Sequence, residues 1–372
     1  MSRRVSVIFR HCVLLVLFVI SLSLQPCVFL TAALPASACG TMYERPFAAP
    51  GDSGRRQCGV KEPRTYRPKY KGIGFQVLDS ESEACFVPDQ QYKLLDELVN
   101  SVVTKVKYNP NLVDRDARIE QAKNISKAIS DTLKANGFAL FIPTESLGDA
   151  LISRNRPGEP ERHIFDCDTG SLIFLTIAEN LGAPVSLVDI TLPSDAGHNY
   201  VRWYIDDKTS LDWDMNGQAE CSTPADLPNY EGRSMSRDET LGYALGLRAS
   251  IWETLGKYDS AISDYREPMK LYPQDPVYYN NFAWIVATRQ LSDRKQLQKA
   301  ALTASEHATT VNRTANYLDT LACVYALTGD FKKAITLESE AVKTARGKDE
   351  AAFRQRLAGF MEPKPRDCTG AK

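Results

Sequence analysis

Residues 165–182 read FDCDTGSLIFLTIAENLG, and this stretch decides the fold. Cys167 opens it, and Asp166 and Asp168 suit the first turn of a helix. Apolar residues then recur at helical spacing up to Gly182, which is a typical helix stop. The stretch therefore predicts an apolar helix that begins at a cysteine. Because the positive end of a helix dipole stabilises a thiolate, the sequence also predicts a reactive sulfur.

The bulk composition is that of an ordinary globular protein. The chain has 372 residues, of which 43% are hydrophobic and 24% charged, so two or three domains with real cores are expected. The formal net charge is −1, so the chain lacks the excess of positive charge that is typical of nucleic-acid-binding proteins. The sequence contains no CxxC motif and no His/Cys cluster at metal-ligand spacing. We therefore expect no nucleic-acid partner, no cofactor and no structural metal.

The N-terminus has the pattern of an export signal. Basic residues near Arg3 precede an apolar run at residues 12–20, and Ala36-Ser37-Ala38 has the form of a cleavage site. The pattern predicts a signal peptide over residues 1–38 and a periplasmic or secreted protein. Two alternatives remain open, an uncleaved anchor helix and lipidation of Cys39. In either case the N-terminus would be the part of the chain that meets a membrane.

Export would allow the remaining cysteines to form disulfides. A disulfide between Cys58 and Cys85, or between Cys39 and one of them, suits the loop-rich N-terminal part. Cys323 lies on an apolar helical face, which predicts a buried free thiol. Cys167 is expected to stay out of any disulfide.

Three regions follow the predicted signal. Residues 39–90 are rich in Pro, Gly, Arg and Lys, which predicts an irregular leader or linker. Residues 91–232 read as helices followed by strands, hence an α+β domain. Residues 236–362 read as helices that repeat. The small residues Ala249, Ala283 and Ala322 mark three copies, 34 and 39 residues apart.

Four segments between residues 144 and 217 resemble the bacterial transglutaminase-like cysteine hydrolases. They are Cys167-Asp168-Thr169-Gly170-Ser171, Leu181-Gly182-Ala183-Pro184-Val185, His198-Asn199-Tyr200-Val201-Arg202-Trp203 and Leu211-Asp212-Trp213-Asp214. The C-terminal third resembles tetratricopeptide repeats. Together these resemblances imply an α+β transglutaminase-like (papain-like) domain, followed by an all-α tetratricopeptide-repeat solenoid that docks a peptide or protein partner.

The resemblance also implies roles for the site residues. Cys167 would be the nucleophile, His198 the general acid and base, and an aspartate would orient the imidazole. Such domains form a thioester from an amide, which water hydrolyses or an amine converts to a new amide. His163, four residues before Cys167, is a rival base.

Two aspartates compete for the third role. A hairpin around Asp206-Asp207 would place His198 opposite Asp214, or opposite Met215 with Asp214 adjacent, depending on the register. In both registers Asp212 lies farther along the strand, so Asp214 is favoured and Asp212 is the alternative acid.

Two functions remain open from the sequence. The first is an exported thiol enzyme that acts on amide bonds of a peptide or protein substrate. The second is an inactive transglutaminase-like fold whose repeats assemble a complex in the cell envelope. The contact between Cys167 and His198, and the access of solvent to the sulfur, are expected to discriminate them.

Overall fold

Helices make up most of the structure, together with one small sheet and one strand pair. The computed structural model describes residues 63–140, 146–153, 162–191, 197–216, 219–220, 232–291, 294–345 and 349–370, all within one unit, Ser37–Lys372. The predicted signal, residues 1–38, lies outside the described residues, as do Cys39, Cys58 and Cys221.

The elements follow the chain in this order: α1 (Ile73–Glu81), α2 (Asp89–Val103), α3 (Arg115–Ala135), β1 (Phe138–Leu140), α4 (Leu147–Ala150), β2 (His163–Phe165), α5 (Cys167–Leu181), β3 (Val185–Thr191), β4 (Gly197–Asp206), β5 (Thr209–Asp214), β6 (Ala219–Glu220), β7 (Arg233–Ser234), α6 (Arg237–Thr254), α7 (Tyr258–Leu271), α8 (Pro276–Thr288), α9 (Arg294–Val311), α10 (Ala315–Leu327), α11 (Phe331–Thr344) and α12 (Asp349–Phe360). Strands β6-β5-β4-β3-β7 form an antiparallel sheet in that order, and β1 pairs with β2 in parallel.

Helix α5 is the centre of the first half of the fold, and it has the bounds that the sequence predicts. Asp166 caps its N-terminus by accepting the Thr169 N–H, while Thr169 Oγ1 accepts the Asp166 N–H in return. Gly182 ends it in the left-handed conformation, with φ of 69°. The helix is apolar around most of its circumference because it packs on α1 and α2 and also on strand β4.

The expectation of an irregular leader over residues 39–90 is wrong for its described part, because that part contains α1. The helix buries Ile73 and Leu78 in the core, and its last residue, Glu81, is also fully buried. The Glu81 carboxylate accepts the backbone N–H groups of Leu147 and Gly148 at 2.8 Å each, which are free donors at the start of α4. The sequence did not predict this helix because the residue before it is Gly72, which offers no side-chain cap.

The β4–β5 hairpin has neither of the registers that the sequence suggested. Arg202 pairs with Asp212 and Val201 with Trp213, so the strands are shifted relative to both expectations. The cause is a bulge between Tyr204 and Asp206, followed by a turn at residues 207–208. The Asp206 carboxylate accepts the Lys208 N–H at 2.9 Å, which stabilises that turn.

The second half of the fold is helical throughout its described residues. Successive helices pack as the pairs α6/α7, α8/α9 and α10/α11, and α12 packs on α11. The three repeat-marking alanines, Ala249, Ala283 and Ala322, are all fully buried. The expectation of a free thiol at Cys323 is wrong, because Cys323 forms a disulfide with Cys368, which lies beyond the last helix. An apolar helical face suits a half-cystine as well as a thiol.

A buried carboxyl group in the repeat region makes stability depend on pH. Glu338 is 0% exposed, and burial, followed by the charge of Asp319, raises its pKa to about 10. Since the unfolded-state value lies near 4.5, its contribution to stability is complete below about pH 4.5 and is lost as pH rises toward 10.

We therefore expect Glu338→Gln, which mimics the neutral acid, to raise the free energy of unfolding at pH 8 by about 1–3 kcal/mol. Denaturant titrations at pH 5 and pH 8 measure this, and the gain should be larger at pH 8. Glu340→Gln on the same helix is the control. Glu340 is paired with Arg313 at 2.7 Å, and its loss should cost no more than about 1 kcal/mol. A Glu338→Gln protein less stable than wild type at pH 8 would overturn the assignment.

Candidate active site

Cys167 is the first residue of α5 and is the free cysteine among the described residues. The residue as a whole is half-buried. The sulfur lies 3.5 Å from Asp168 Oδ1, to which the thiol donates, and it accepts the backbone N–H of Asn199. Asn199 directly follows His198 on β4, so α5 brings the sulfur to within one residue of the predicted base.

The thiol is not the resting thiolate that a helix N-terminus alone would favour. Burial, followed by the negative charges of Asp168 and Asp166, raises the pKa of Cys167 well above its ordinary value. The Asn199 N–H acts in the opposite direction and does not compensate. Burial and the two flanking carboxylates, of which Asp166 caps the helix, thus keep the sulfur protonated at neutral pH.

His198 and Asp214 form a buried pair. His198 Nε2 lies 3.5 Å from Asp214 Oδ2, and the two residues are 2% and 7% exposed. In the observed register Asp214 lies diagonally across from His198 on the same face of the hairpin, a position that side chains can span. His198 Nε2 makes no hydrogen bond with any described group, so Asp214 is the acceptor that faces it.

The alternative acid, Asp212, is occupied elsewhere. Its carboxylate forms two parallel hydrogen bonds with the guanidinium of Arg202, at 2.7 Å and 2.8 Å. Arg202 lies directly opposite Asp212 in the β4–β5 ladder. This paired geometry holds Asp212 to the strand beside it and leaves Asp214 as the acid near His198.

Strand alternation separates Cys167 and His198 in the resting structure. Neighbouring residues on a strand point to opposite faces, and the Asn199 side chain contacts Asp168 on α5. His198 points away from that face, toward Asp214. Within the described residues no hydrogen bond joins the Cys167 sulfur to the His198 ring.

Sequence reasoning missed a network that ties this site to the repeats. Asp168 Oδ1 accepts hydrogen bonds from Asn199 Nδ2 and from the hydroxyl of Tyr243, which belongs to α6. Asn199 Nδ2 also donates to the Tyr243 oxygen at 3.0 Å. Asn199 could have been noted as the neighbour of His198, but no local signal connects Tyr243 with a residue 75 positions earlier.

The rival base, His163, lies in a strand rather than in the expected polar loop. It belongs to β2, and its ring stacks on Phe138 with centroids 4.7 Å apart. Within the described ranges, no group of three His, Cys, Asp or Glu side chains is placed to hold a metal ion. In the same ranges, no helix is both long enough and apolar enough to cross a membrane.

Comparisons with known proteins give structural likenesses alone. No protein-family model matches this sequence, and no curated protein is similar to it. One similar solved structure is the first TPR of Spaghetti (RPAP3) bound to the HSP90 peptide SRMEEVD, at 19% identity, 32% of this chain, 93% of that chain and a TM-score of 0.26. Another is menin, in a crystal structure described as revealing the binding site for the Mixed Lineage Leukemia (MLL) protein, at 13% identity, 76% of this chain, 67% of that chain and a TM-score of 0.42. The first likeness is to a TPR-like run of helices over about a third of the chain.

Proposed function

We propose that this protein is an exported, transglutaminase-like thiol enzyme that acts on amide bonds of peptides or proteins. One observation carries the proposal: a buried His198–Asp214 pair lies one residue from the backbone N–H that contacts the sulfur of Cys167. A cysteine, an imidazole and a carboxylate in this order form the constellation of a thiol hydrolase.

Each residue then has a defined role. Asp214 faces Nε2 of His198 and holds the ring, which leaves Nδ1 to receive the thiol proton. The Cys167 sulfur attacks the amide carbonyl carbon, the C–N bond breaks, and His198 returns the proton to the departing amine. The product is a thioester on Cys167, which water hydrolyses or a second amine converts to a new amide. The Cys167 N–H, a free donor at the start of α5, is a candidate for the oxyanion contact.

A thiol with a raised pKa can still carry out this chemistry when substrate binding changes the contacts of the Cys167 sulfur. His198 points away from the strand face that contacts α5, so substrate binding must draw the Cys167 sulfur out of its contact with Asp168 and turn the His198 ring toward it. The pKa has a measurable consequence. The rate of Cys167 alkylation by iodoacetamide should rise about tenfold per pH unit between pH 7 and pH 9.

Export is supported by the cysteine chemistry. Cys323 is bonded to Cys368, and Cys85 is also in a disulfide. Structural disulfides persist in oxidising compartments and are rare in the cytosol. The periplasm or the extracellular space is therefore the proposed location of the mature protein.

Partner docking by the repeats is supported by a groove of about 770 Å³ that α9, α10 and α11 line. Its walls carry acidic side chains, basic side chains and an aromatic ring. Glu306 accepts the Tyr325 hydroxyl at 2.8 Å, and Lys333 lies 4.6 Å from the centre of the Tyr325 ring. Such a surface suits a peptide with mixed polar and apolar side chains.

Replacing Cys167 tests the enzymatic proposal. We expect Cys167→Ala to abolish labelling by a thiol-directed electrophile and to lower turnover of a peptide-amide library by about 10³-fold or more, with an unchanged melting temperature. Ser171→Ala, one helical turn farther along α5, is the matched control and should keep both signals. Turnover that persists undiminished in Cys167→Ala would exclude Cys167 as the nucleophile.

A second candidate function is a catalytically inactive scaffold that mediates protein interactions in the cell envelope. It is favoured by the protonated state of Cys167 and by the absence, among the described residues, of a hydrogen bond between its sulfur and His198. Under this alternative, Cys167→Ala would leave every partner interaction of the folded protein intact, and no peptide amide in the library would be turned over.

A further inference from the structure

Polar side chains from four elements, together with the N-cap of a fifth, lie near one another beside Cys167. Asp168 of α5 accepts hydrogen bonds from Asn199 of β4 and from Tyr243 of α6. Asp189 of β3 lies directly opposite Asn199 in the ladder, so both side chains project from the same face. Asp275, the N-cap of α8, acts electrostatically on Asp189. We name Asp168, Asp189, Asn199, Tyr243 and Asp275 the acidic cleft.

The carboxylates of the acidic cleft have no cationic partner among the described residues. Within the described part of the chain, none of Asp168, Asp189 and Asp275 forms an ion pair. Burial, then the charges of Asp275 and Asp168, raise the pKa of Asp189 well above its ordinary value, and burial raises the pKa of Asp275 to about 6. Arg233 lies opposite Asp189 on β7, but Glu239 binds it through two hydrogen bonds, at 2.7 Å and 3.1 Å.

An independent observation places an unused acceptor in the same cleft. Asn199 is 0% exposed, and its Oδ1 has no hydrogen-bond partner among the described residues. The orientation of this amide is fixed, because Asp168 can only accept and therefore requires Nδ2. Leaving a buried carbonyl oxygen without a donor costs about 1–3 kcal/mol. A ligand that donates a hydrogen bond to this oxygen, beside the carboxylates, would remove that cost.

Solvent reaches the acidic cleft. Cys167, Asp168, Asp189 and Tyr243 each keep part of their surface exposed, although burial dominates their electrostatics where a shift is resolved. Asn199 and Asp275, in contrast, are buried. Tyr278 lies next to the cleft, since the Tyr278 hydroxyl donates to the Tyr243 carbonyl at 3.5 Å.

We propose that the acidic cleft binds the guanidinium group of an arginine side chain from a peptide or protein. Several acceptors from separate residues match the five N–H donors of a guanidinium, and tyrosine faces suit its flat surface. A guanidinium is also less strongly hydrated than an ammonium, so it enters a desolvated site at lower cost. The inference rests on the proposed function in one respect only: if the protein is an enzyme, the bound arginine belongs to its substrate and helps to select it. Binding itself does not require Cys167 to react.

The test compares two small ligands of the same shape. Isothermal titration with Nα-acetyl-arginine methylamide is expected to give at least about tenfold tighter binding than the neutral isostere, Nα-acetyl-citrulline methylamide. Asp189→Asn should remove this preference. Asp259→Asn, at an exposed position on α7, should keep it. If Asp189→Asn does not fold, Tyr243→Phe replaces it and should weaken the preference at least about threefold.

Three outcomes would overturn the inference: equal binding of the arginine and citrulline ligands, tighter binding of the corresponding lysine ligand, or an unchanged preference in a folded Asp189→Asn protein. The titration is repeated with Cys167→Ala, which separates the two proposals. If the protein binds arginine but wild type shows no turnover, the assignment of the acidic cleft stands and the enzymatic function is rejected. Turnover without an arginine preference would reject the cleft alone.

Discussion

Asp214→Asn is expected to lower amide turnover by about 10³-fold or more while the protein stays folded. The reason is that Asp214 faces Nε2 of His198 at 3.5 Å, and an amide there no longer stabilises the imidazolium that forms when the ring takes the thiol proton. The measurement is kcat/KM on a peptide-amide substrate, with the melting temperature recorded for each variant.

Asp212→Asn is the matched control, since it makes the same chemical change two residues away. Asp212 holds Arg202 through two hydrogen bonds, so this variant should lose about 1–3 kcal/mol of stability and keep its turnover below the melting temperature. The opposite pattern, with turnover lost in Asp212→Asn and kept in Asp214→Asn, would mean that the wrong carboxylate has been assigned.

The second large effect concerns stability. Replacing both Cys323 and Cys368 by alanine is expected to lower the free energy of unfolding by about 4 kcal/mol, because the bridge closes a loop with a sequence separation of 45 residues. Denaturant titration without reductant measures the loss. Both half-cystines are buried, at 0% and 4% exposure, so the bridge also fixes the C-terminal segment on α10.

The single and double variants provide an internal check. Cys323→Ala, Cys368→Ala and the double variant should lose nearly the same stability, since each removes the same single bridge. A loss below about 1 kcal/mol in all three variants would show that the C-terminal segment holds its place without the disulfide.

Local patterns in the sequence predicted the elements whose signals are short-range. Helix α5 begins at Cys167 and ends before Gly182 because capping and apolar periodicity both act within a few residues. Helix α3 also carries a local start signal, because the Asp114 side chain accepts the Ala117 N–H. In contrast, α1 lacks a side-chain cap and is fixed by distant partners, among them Thr176 and Glu179 of α5, so no local pattern announced it.

The candidate site depends on features that local patterns do not encode. A one-residue bulge near Tyr204 shifted the hairpin, and a register error of one or two positions changes which side chains meet. The choice of Asp214 near His198 therefore depends on a diagonal contact that the sequence alone did not specify. The pKa of Cys167 likewise follows from burial and from neighbouring carboxylates, which outweigh the helix dipole.

The sequence did not predict the network around Asp168 because its members are far apart along the chain. Asn199, Tyr243 and Asp275 come from a strand and from two helices that the sequence assigned to different domains. Their contacts arise only when the repeats pack on the first half of the chain. The Tyr243–Asp168 hydrogen bond thus joins the candidate site physically to the helices expected to bind partners.

One measurement tests the central claim, that Cys167 forms a thioester with a substrate acyl group. The protein is incubated with a peptide-amide library, quenched in acid and mapped by mass spectrometry. We expect an acyl group on the peptide that contains Cys167. Hydroxylamine should remove it, and it should be absent in Cys167→Ala and strongly reduced in His198→Ala. Folded wild-type protein that leaves Cys167 unmodified across the whole library would contradict it.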